Sequence, residues 1–191
     1  MFERLKNVKR IILSIGHGGK KGERFDSGAT ANGITENDQC TILTNKLQAL
    51  LVAAKVPVLV IPDFGLTKTV KYMNNVGNAY SDWAFEIHKD SATYNPATMH
   101  RRMGIYAHPE STQAMRIAQS MVASFQRSGA NATSWARVDS DSNHGSLWFI
   151  RKPKMLSMII EAGFIEGDCS DAENNFLAQT ICEAILHELS K

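Results

Sequence analysis

Two periodicities of apolar positions divide this chain between them. Arg10–Ile15 (RIILSI), Val56–Ile61 (VPVLVI), Trp83–His88 (WAFEIH) and Leu156–Glu161 (LSMIIE) are short apolar runs closed by turn residues or charges, the pattern of buried strands. Ser134–Val138 and Leu147–Ile150 add two shorter strands. Between these runs the spacing lengthens to that of a helix. From Glu36 to Lys55 the apolar positions are Ile42, Leu43, Leu47, Leu50, Leu51 and Ala54, with Thr35 placed to cap the first turn. Glu110–Arg127 repeats the pattern through Ala114, Ile117, Ala118, Met121, Val122 and Phe125 and stops at Ser128-Gly129. Asp171–Leu189 closes the chain in the same way, and Thr67–Tyr80 is a weaker helix carrying Val70, Met73 and Val76. Lys20–Thr35, rich in Gly, Asp and Asn, and the stretch from Lys89 to about Pro109 read as long loops. Strands alternating with helices predict a single α/β domain: a mainly parallel, twisted six-stranded sheet with helices on both faces.

Composition narrows this picture only a little. A chain of 191 residues fits one domain, and its 43% hydrophobic and 21% charged residues are ordinary for a globular protein. A net charge of +2 is too mild to point to nucleic acid, and it tolerates an anionic polymer without predicting one. No apolar run approaches the roughly 20 residues that span a bilayer, so membrane insertion is not expected. The first ten residues, MFERLKNVKR, show no secretory h-region, and the expectation is synthesis in the cytoplasm without a signal peptide. Cys40, Cys169 and Cys182 are widely spaced with no CxxC, which predicts free thiols; nothing in the spacing demands a Cys169–Cys182 bridge.

Chemistry enters at the ends of the apolar runs. IILSI ends at Gly16-His17-Gly18-Gly19, WAFEI ends at His88, and MLSMII ends at Glu161. Glu36 opens the long helix after Thr35. In an open α/β sheet, ligands bind at the carboxyl ends of the strands. Two imidazoles and one carboxylate converging there make a three-ligand zinc site with an open position, and they leave a second carboxylate for proton transfer. Helix N–H groups keep Glu36 ionised, whereas the apolar run before Glu161 should raise its pKa, as a proton shuttle requires. Each residue alone has an ordinary structural explanation. Their common position carries the reading, and that reading reaches a metal-dependent hydrolase.

Four segments in order make the chain resemble the zinc-dependent N-acetylmuramoyl-L-alanine amidases of the amidase-3 family, which includes bacterial autolysins and phage endolysin catalytic domains. IILSIGHGG is similar to the family strand ending in GHGG, and ENDQCTILTNKLQALL to its second ligand segment. FEIHKDSA is similar to its SIHANA motif and MIIEAGFIEGD to its LVETGF motif. The resemblance implies one Zn²⁺ on His17, Glu36 and His88, with Glu161 as general acid and base. It implies hydrolysis of the amide between N-acetylmuramic acid and L-alanine in peptidoglycan. The rival readings are a zinc peptidase cutting within the stem peptide and a wall-binding domain without turnover. The expected organisation is one catalytic domain over residues 1–191, monomeric, with no separate cell-wall-binding domain. That fits a phage or prophage endolysin acting on the wall after release from the cytoplasm. The chain departs from the family pattern at Ser14-Ile15, Glu86, Lys89-Asp90 and Pro62-Asp63-Phe64, which bears on the hydrogen bonds that orient the imidazoles.

Weaker candidates surround these four. Arg101 and Arg102, within a basic cluster with His100 and His108, are candidates to hold stem-peptide carboxylates. Tyr106 is a candidate to stack on substrate, and Trp148 the same, although core or edge packing is the stronger reading for both. Arg137 and His144 are read as rim or surface residues without a role, and His187 as a helix-terminal charge.

Overall fold

The structure, a computed structural model, describes residues 8–21 and 24–191. The N-terminal reading therefore falls largely on residues 1–7, outside the described residues. In chain order the elements begin with β1 (Arg10–Ile15) and four two-residue strands, β2 (Lys20–Lys21), β3 (Arg24–Phe25), β4 (Thr30–Ala31) and β5 (Ile34–Thr35). Then come α1 (Glu36–Ala53), β6 (Val58–Val60), α2 (Leu66–Val76), β7 (Asp82–Asp90), α3 (Pro96–Met99), β8 (Gly104–Ala107) and α4 (Thr112–Arg127). The chain ends with β9 (Trp135–Val138), a 3-10 turn at Asp139–Asp141, α5 (Trp148–Arg151), β10 (Leu156–Phe164) and α6 (Asp171–Leu189).

Six strands form one sheet in the order β6-β1-β7-β10-β8-β9. The first four run parallel, which needs crossover connections between them. β8 joins β10 antiparallel, and β9 pairs with β8 in parallel, so the last two strands run against the rest. The sheet is mostly parallel and has helices on both faces, as the apolar patterning predicts.

Two members of the sheet differ from the sequence reading. Leu147–Ile150 is not a strand; its residues belong to the single helical turn of α5, which presses Phe149 and Ile150 onto the sheet. A four-residue apolar run has no periodicity to separate strand from helix. Its place in the sheet is taken by β8, hidden in the segment read as a loop because GIYA is short and follows polar sequence. The Lys20–Thr35 loop also folds back on itself in two minimal antiparallel ladders.

The two faces are covered unequally. One is packed by α1, α4 and α6, whose Leu43, Leu47, Phe125, Met121, Ile181 and Ile185 close over Ile11, Leu13, Phe85, Met158 and Ile160. The other is covered by α2 and α5 around Ile12, Ala84 and Ile159. That smaller layer stops short of the carboxyl ends of β7 and β10, where His88, Asp90 and Glu161 become partly exposed. All three cysteines are free, with Cys40 and Cys182 buried.

Candidate metal centre

His17 sits just past β1 with a φ of 62°, a left-handed backbone that non-glycine residues seldom adopt. This turn brings the imidazole back over the strand ends instead of letting it run on with the chain. Glu36 is the first residue of α1. Thr35 caps the helix by accepting from the Asp38 N–H at 3.2 Å, and the Asn37 side chain donates to the Gly16 carbonyl at 3.2 Å. Helix start and strand end are thereby tied together. Gly28 completes the closure: a Cβ there would lie 2.5 Å from the His17 ring and 2.7 Å from a Glu36 oxygen, so the 26–29 segment lies directly against both residues.

His88 and Glu161 are not at strand ends. β7 runs on to Asp90 and β10 to Phe164, with a register shift between Glu161 and Phe164. The two residues are direct neighbours across the β7–β10 ladder and project from the same face. The polar breaks that made the runs seem to end there are the site itself.

Glu36 is the centre of the cluster. Its Oε2 meets His17 Nε2 at 3.0 Å and accepts from the Ala29 N–H at 3.0 Å. Its Oε1 meets His88 Nδ1 at 3.0 Å and accepts from the Lys89 N–H at 3.3 Å. Burial alone would raise this carboxyl's pKa, but the two imidazole hydrogen bonds outweigh it and hold Glu36 far below the usual carboxylate range. Both imidazoles are displaced upward in turn: burial opposes their charge, and the bonds to Glu36 overcome it.

Each histidine has a second carboxylate on its outer nitrogen. His17 Nδ1 lies 3.1 Å from Asp26, and His88 Nε2 lies 3.2 Å from Glu86. Glu86 is itself approached by the Ser14 hydroxyl at 3.4 Å. These carboxylates hold each ring with its inner nitrogen facing Glu36, and outer carboxylates of this kind orient imidazole ligands at metals. Ser14 and Glu86, two of the departures from the family pattern, thus meet each other and His88 in one hydrogen-bonded line.

His17, Glu36 and His88 each offer a ligand atom, all within 4.8 Å of one another, and this set of two nitrogens and an oxygen can hold a metal ion. Glu161 differs in kind. Among the described residues it has no hydrogen bond or ion pair, and desolvation, partly offset by His88, raises its carboxyl to about 7.

The weaker candidates separate. Arg101 is committed elsewhere, with its Nε 3.0 Å and a terminal nitrogen 2.9 Å from Glu173 and its guanidinium 3.7 Å above the Phe176 ring. Arg102 is half-buried and near enough to Asp90 to influence its ionisation. Tyr106 lies on the cleft face of β8, against Trp135. Trp148 is half exposed, beside Lys152. His108 accepts from the Glu110 N–H, and His187 lies in the last turn of α6. The outer carboxylate Asp26 escaped the sequence reading because nothing in a Gly/Asp/Asn-rich loop distinguishes one aspartate from another.

With the fold and the centre described, the chain can be set beside known proteins. It belongs to the amidase-3 family, N-acetylmuramoyl-L-alanine amidase, whose model matches residues 11–189. Its fold is that of solved members of this enzyme class. It is similar to the N-acetylmuramoyl-L-alanine amidase AmiC2 of Nostoc punctiforme (21% identity, 95% of this chain and 97% of that one, TM-score 0.75). It is also similar to an N-acetylmuramoyl-L-alanine amidase from Clostridium difficile 630 (18% identity, 97% and 98%, TM-score 0.76). A third likeness is to the CwlD amidase from Clostridioides difficile, solved in complex with the GerS lipoprotein (17% identity, 95% and 98%, TM-score 0.75). No curated protein matches the chain by sequence. No helix among the described residues is long and apolar enough to cross a membrane.

Proposed function

We propose that this chain is a zinc-dependent peptidoglycan amidase that opens the bond between the lactyl group of N-acetylmuramic acid and the L-alanine of the stem peptide. The observation that carries the reading is the contrast between two glutamates in one cleft. Glu36 is locked as an anion between two imidazoles, and Glu161, unpartnered among the described residues, has its pKa near neutrality. Family membership supports the choice of bond.

His17, Glu36 and His88 would hold the ion. Bound there, zinc would supply Lewis acidity for the amide carbonyl and for water. Glu161 accepts the proton of the attacking water and returns it to the alanine nitrogen as the C–N bond breaks. A pKa close to 7 suits both transfers. Asp26 and Glu86 keep the imidazoles in one orientation throughout.

In the same reading residues 1–191 form one catalytic domain that acts as a monomer and serves as an endolysin. The catalytic domain of the CD27L endolysin has this fold (16% identity, TM-score 0.71), so the fold is compatible with that use. The test is a wall digest with zinc-loaded protein followed by mass spectrometry. New L-alanine amino termini are expected. Their absence from a complete digest overturns the amidase reading, and products opened within the stem would make the protein a peptidase. Glu161→Gln should lower kcat by about 10²- to 10⁴-fold with zinc content unchanged; undiminished turnover would remove Glu161 from the mechanism.

A further inference from the structure

We propose that Arg137, seated over Trp135 at the far end of a floor that begins at Glu161, is a carboxylate-recognition subsite that favours stem peptides with a free α-carboxylate on the residue after L-alanine. The inference rests on the amidase reading for its ligand, and its starting point is the sheet register. At the level of the chemistry, His88 pairs with Glu161, Glu161 with Gly104, and Gly104 with Trp135. Two residues along, Ile159 pairs with Tyr106 and Tyr106 with Arg137. Paired residues project from the same face of a sheet, so one continuous floor runs from the candidate metal centre to the edge strand.

The floor is shaped for contact. Gly104 has no side chain, and a Cβ there would lie 2.2 Å from the Trp135 ring, so the indole lies down over Gly104 towards β10. The Tyr106 ring meets it edge-on at 4.6 Å. The Arg137 guanidinium sits 4.7 Å from the indole centroid, which folds the long side chain back along the floor. Trp135 and Tyr106 are half-buried, whereas Arg137 is exposed. Tyr106 shares the field of the centre: burial raises its hydroxyl pKa first, and Glu161 and Asp90 raise it further.

Arg137 is also unspent. Arg10 is bound by Asp82, Arg101 by Glu173 and Arg151 by Asp139. No described carboxylate lies within 4.0 Å of Arg137; its guanidinium lies over the Trp135 ring, and its N–H groups can fork onto an anion. Of the two arms leaving the scissile amide, only the peptide carries free carboxylates, because the muramoyl lactyl carboxyl is consumed in the amide itself. Strands lie about 4.8 Å apart, so β9 is about 10 Å from Glu161. An extended peptide covers that in about three residues. With the guanidinium folded back over Trp135, the carboxylate it meets belongs to the second stem residue.

The experiment compares two soluble muramoyl peptides that differ only at that residue, one bearing D-glutamate and the other its α-carboxamide. Wild type should favour the acid by about 10- to 100-fold in kcat/KM, the worth of a charge-assisted hydrogen bond. Arg137→Gln should bring the ratio close to one by lowering the rate on the acid far more than the rate on the amide, and Arg137→Lys should restore part of it. Because Arg137 is exposed, an unchanged melting curve certifies the variants. Equilibrium binding of both peptides to Glu161→Gln, with and without Arg137→Gln, reads the same preference without turnover. A wild type that does not discriminate, or an Arg137→Gln that still does, overturns the subsite. Discrimination in binding without cleavage of either peptide overturns the amidase reading and leaves the subsite standing.

Discussion

The two faces of the sheet are built from the same strands and serve opposite ends. Beneath α1, α4 and α6, the apolar side chains of β1, β7 and β10 are sealed from water along their length. On the face covered by α2 and α5, the same strands carry Ile12, Ala84 and Ile159 under the helices and then, a few residues on, Ser14, Glu86, His88 and Glu161. The helical cover ends where the polar side chains begin. A cleft arises here because the smaller layer is too short to hide the strands, and the burial that remains at its edge is what raises Glu161. The thick layer supplies stability and the thin one leaves room for chemistry.

Phe125→Ala offers the largest test of that division. Phe125 is fully buried in the thick layer, and its truncation should cost about 3–5 kcal/mol in denaturant unfolding while the remaining folded protein keeps its turnover. A loss of kcat in folded Phe125→Ala would mean that the layers are not separable.

On the thin side, Asp139 fastens α5 to the end of β9 through Arg151 at 2.6 and 2.8 Å and the Leu147 N–H at 2.9 Å. Burial opposes its ionisation, but the Arg151 bonds prevail and its pKa is lowered. A lowered folded-state pKa gives stability that is present above the unfolded value, about 4, and lost as pH falls through the folded value. Asp139→Asn should therefore cost about 2–3 kcal/mol at pH 7, less than a fully buried pair because Arg151 is one-third exposed. The gap to wild type should close below about pH 4; urea midpoints across that range decide it, and a gap that widens in acid would refute the assignment.

The smallest effect belongs to the open end. Glu86→Gln keeps the shape and removes the charge on the outer nitrogen of His88, and zinc affinity should fall about tenfold in chelator competition. Unaltered affinity would make Glu86 a bystander. In wild type, zinc should also bind more weakly as pH falls, since the raised imidazoles must shed protons to accept it.

Much of this division was legible in the chain. β1 and α6 have the bounds that their patterns predict, and Thr35 caps α1 as expected. Both cases have strong periodicity and clear terminal residues. His17 and His88 could be grouped because each interrupts or follows an apolar run, and Glu36 because it opens the long helix; the fold brings their ligand atoms together. Two kinds of information were missing. Short segments such as GIYA and LWFI carry too few residues for their period to declare itself, so β8 and α5 depend on tertiary packing. Partners distant in sequence, such as Glu173 for Arg101, leave no local trace; a basic cluster that suggested substrate contact is in part a fastening for α6.

The reversal of β8 and β9 bears on how such a protein can be remodelled. Because these strands run against β10, they meet the reactive end with their first residues, Gly104 and Trp135, and leave it with their last. The segments bordering the cleft on that side are accordingly the ones that enter the strands, residues 91–103 and 128–134, and the turn after β8 at 108–111 faces away. Loop grafts intended to retune wall chemotype belong in the entering segments, while a tag or fusion partner inserted at 108–111 would stand clear of the cleft.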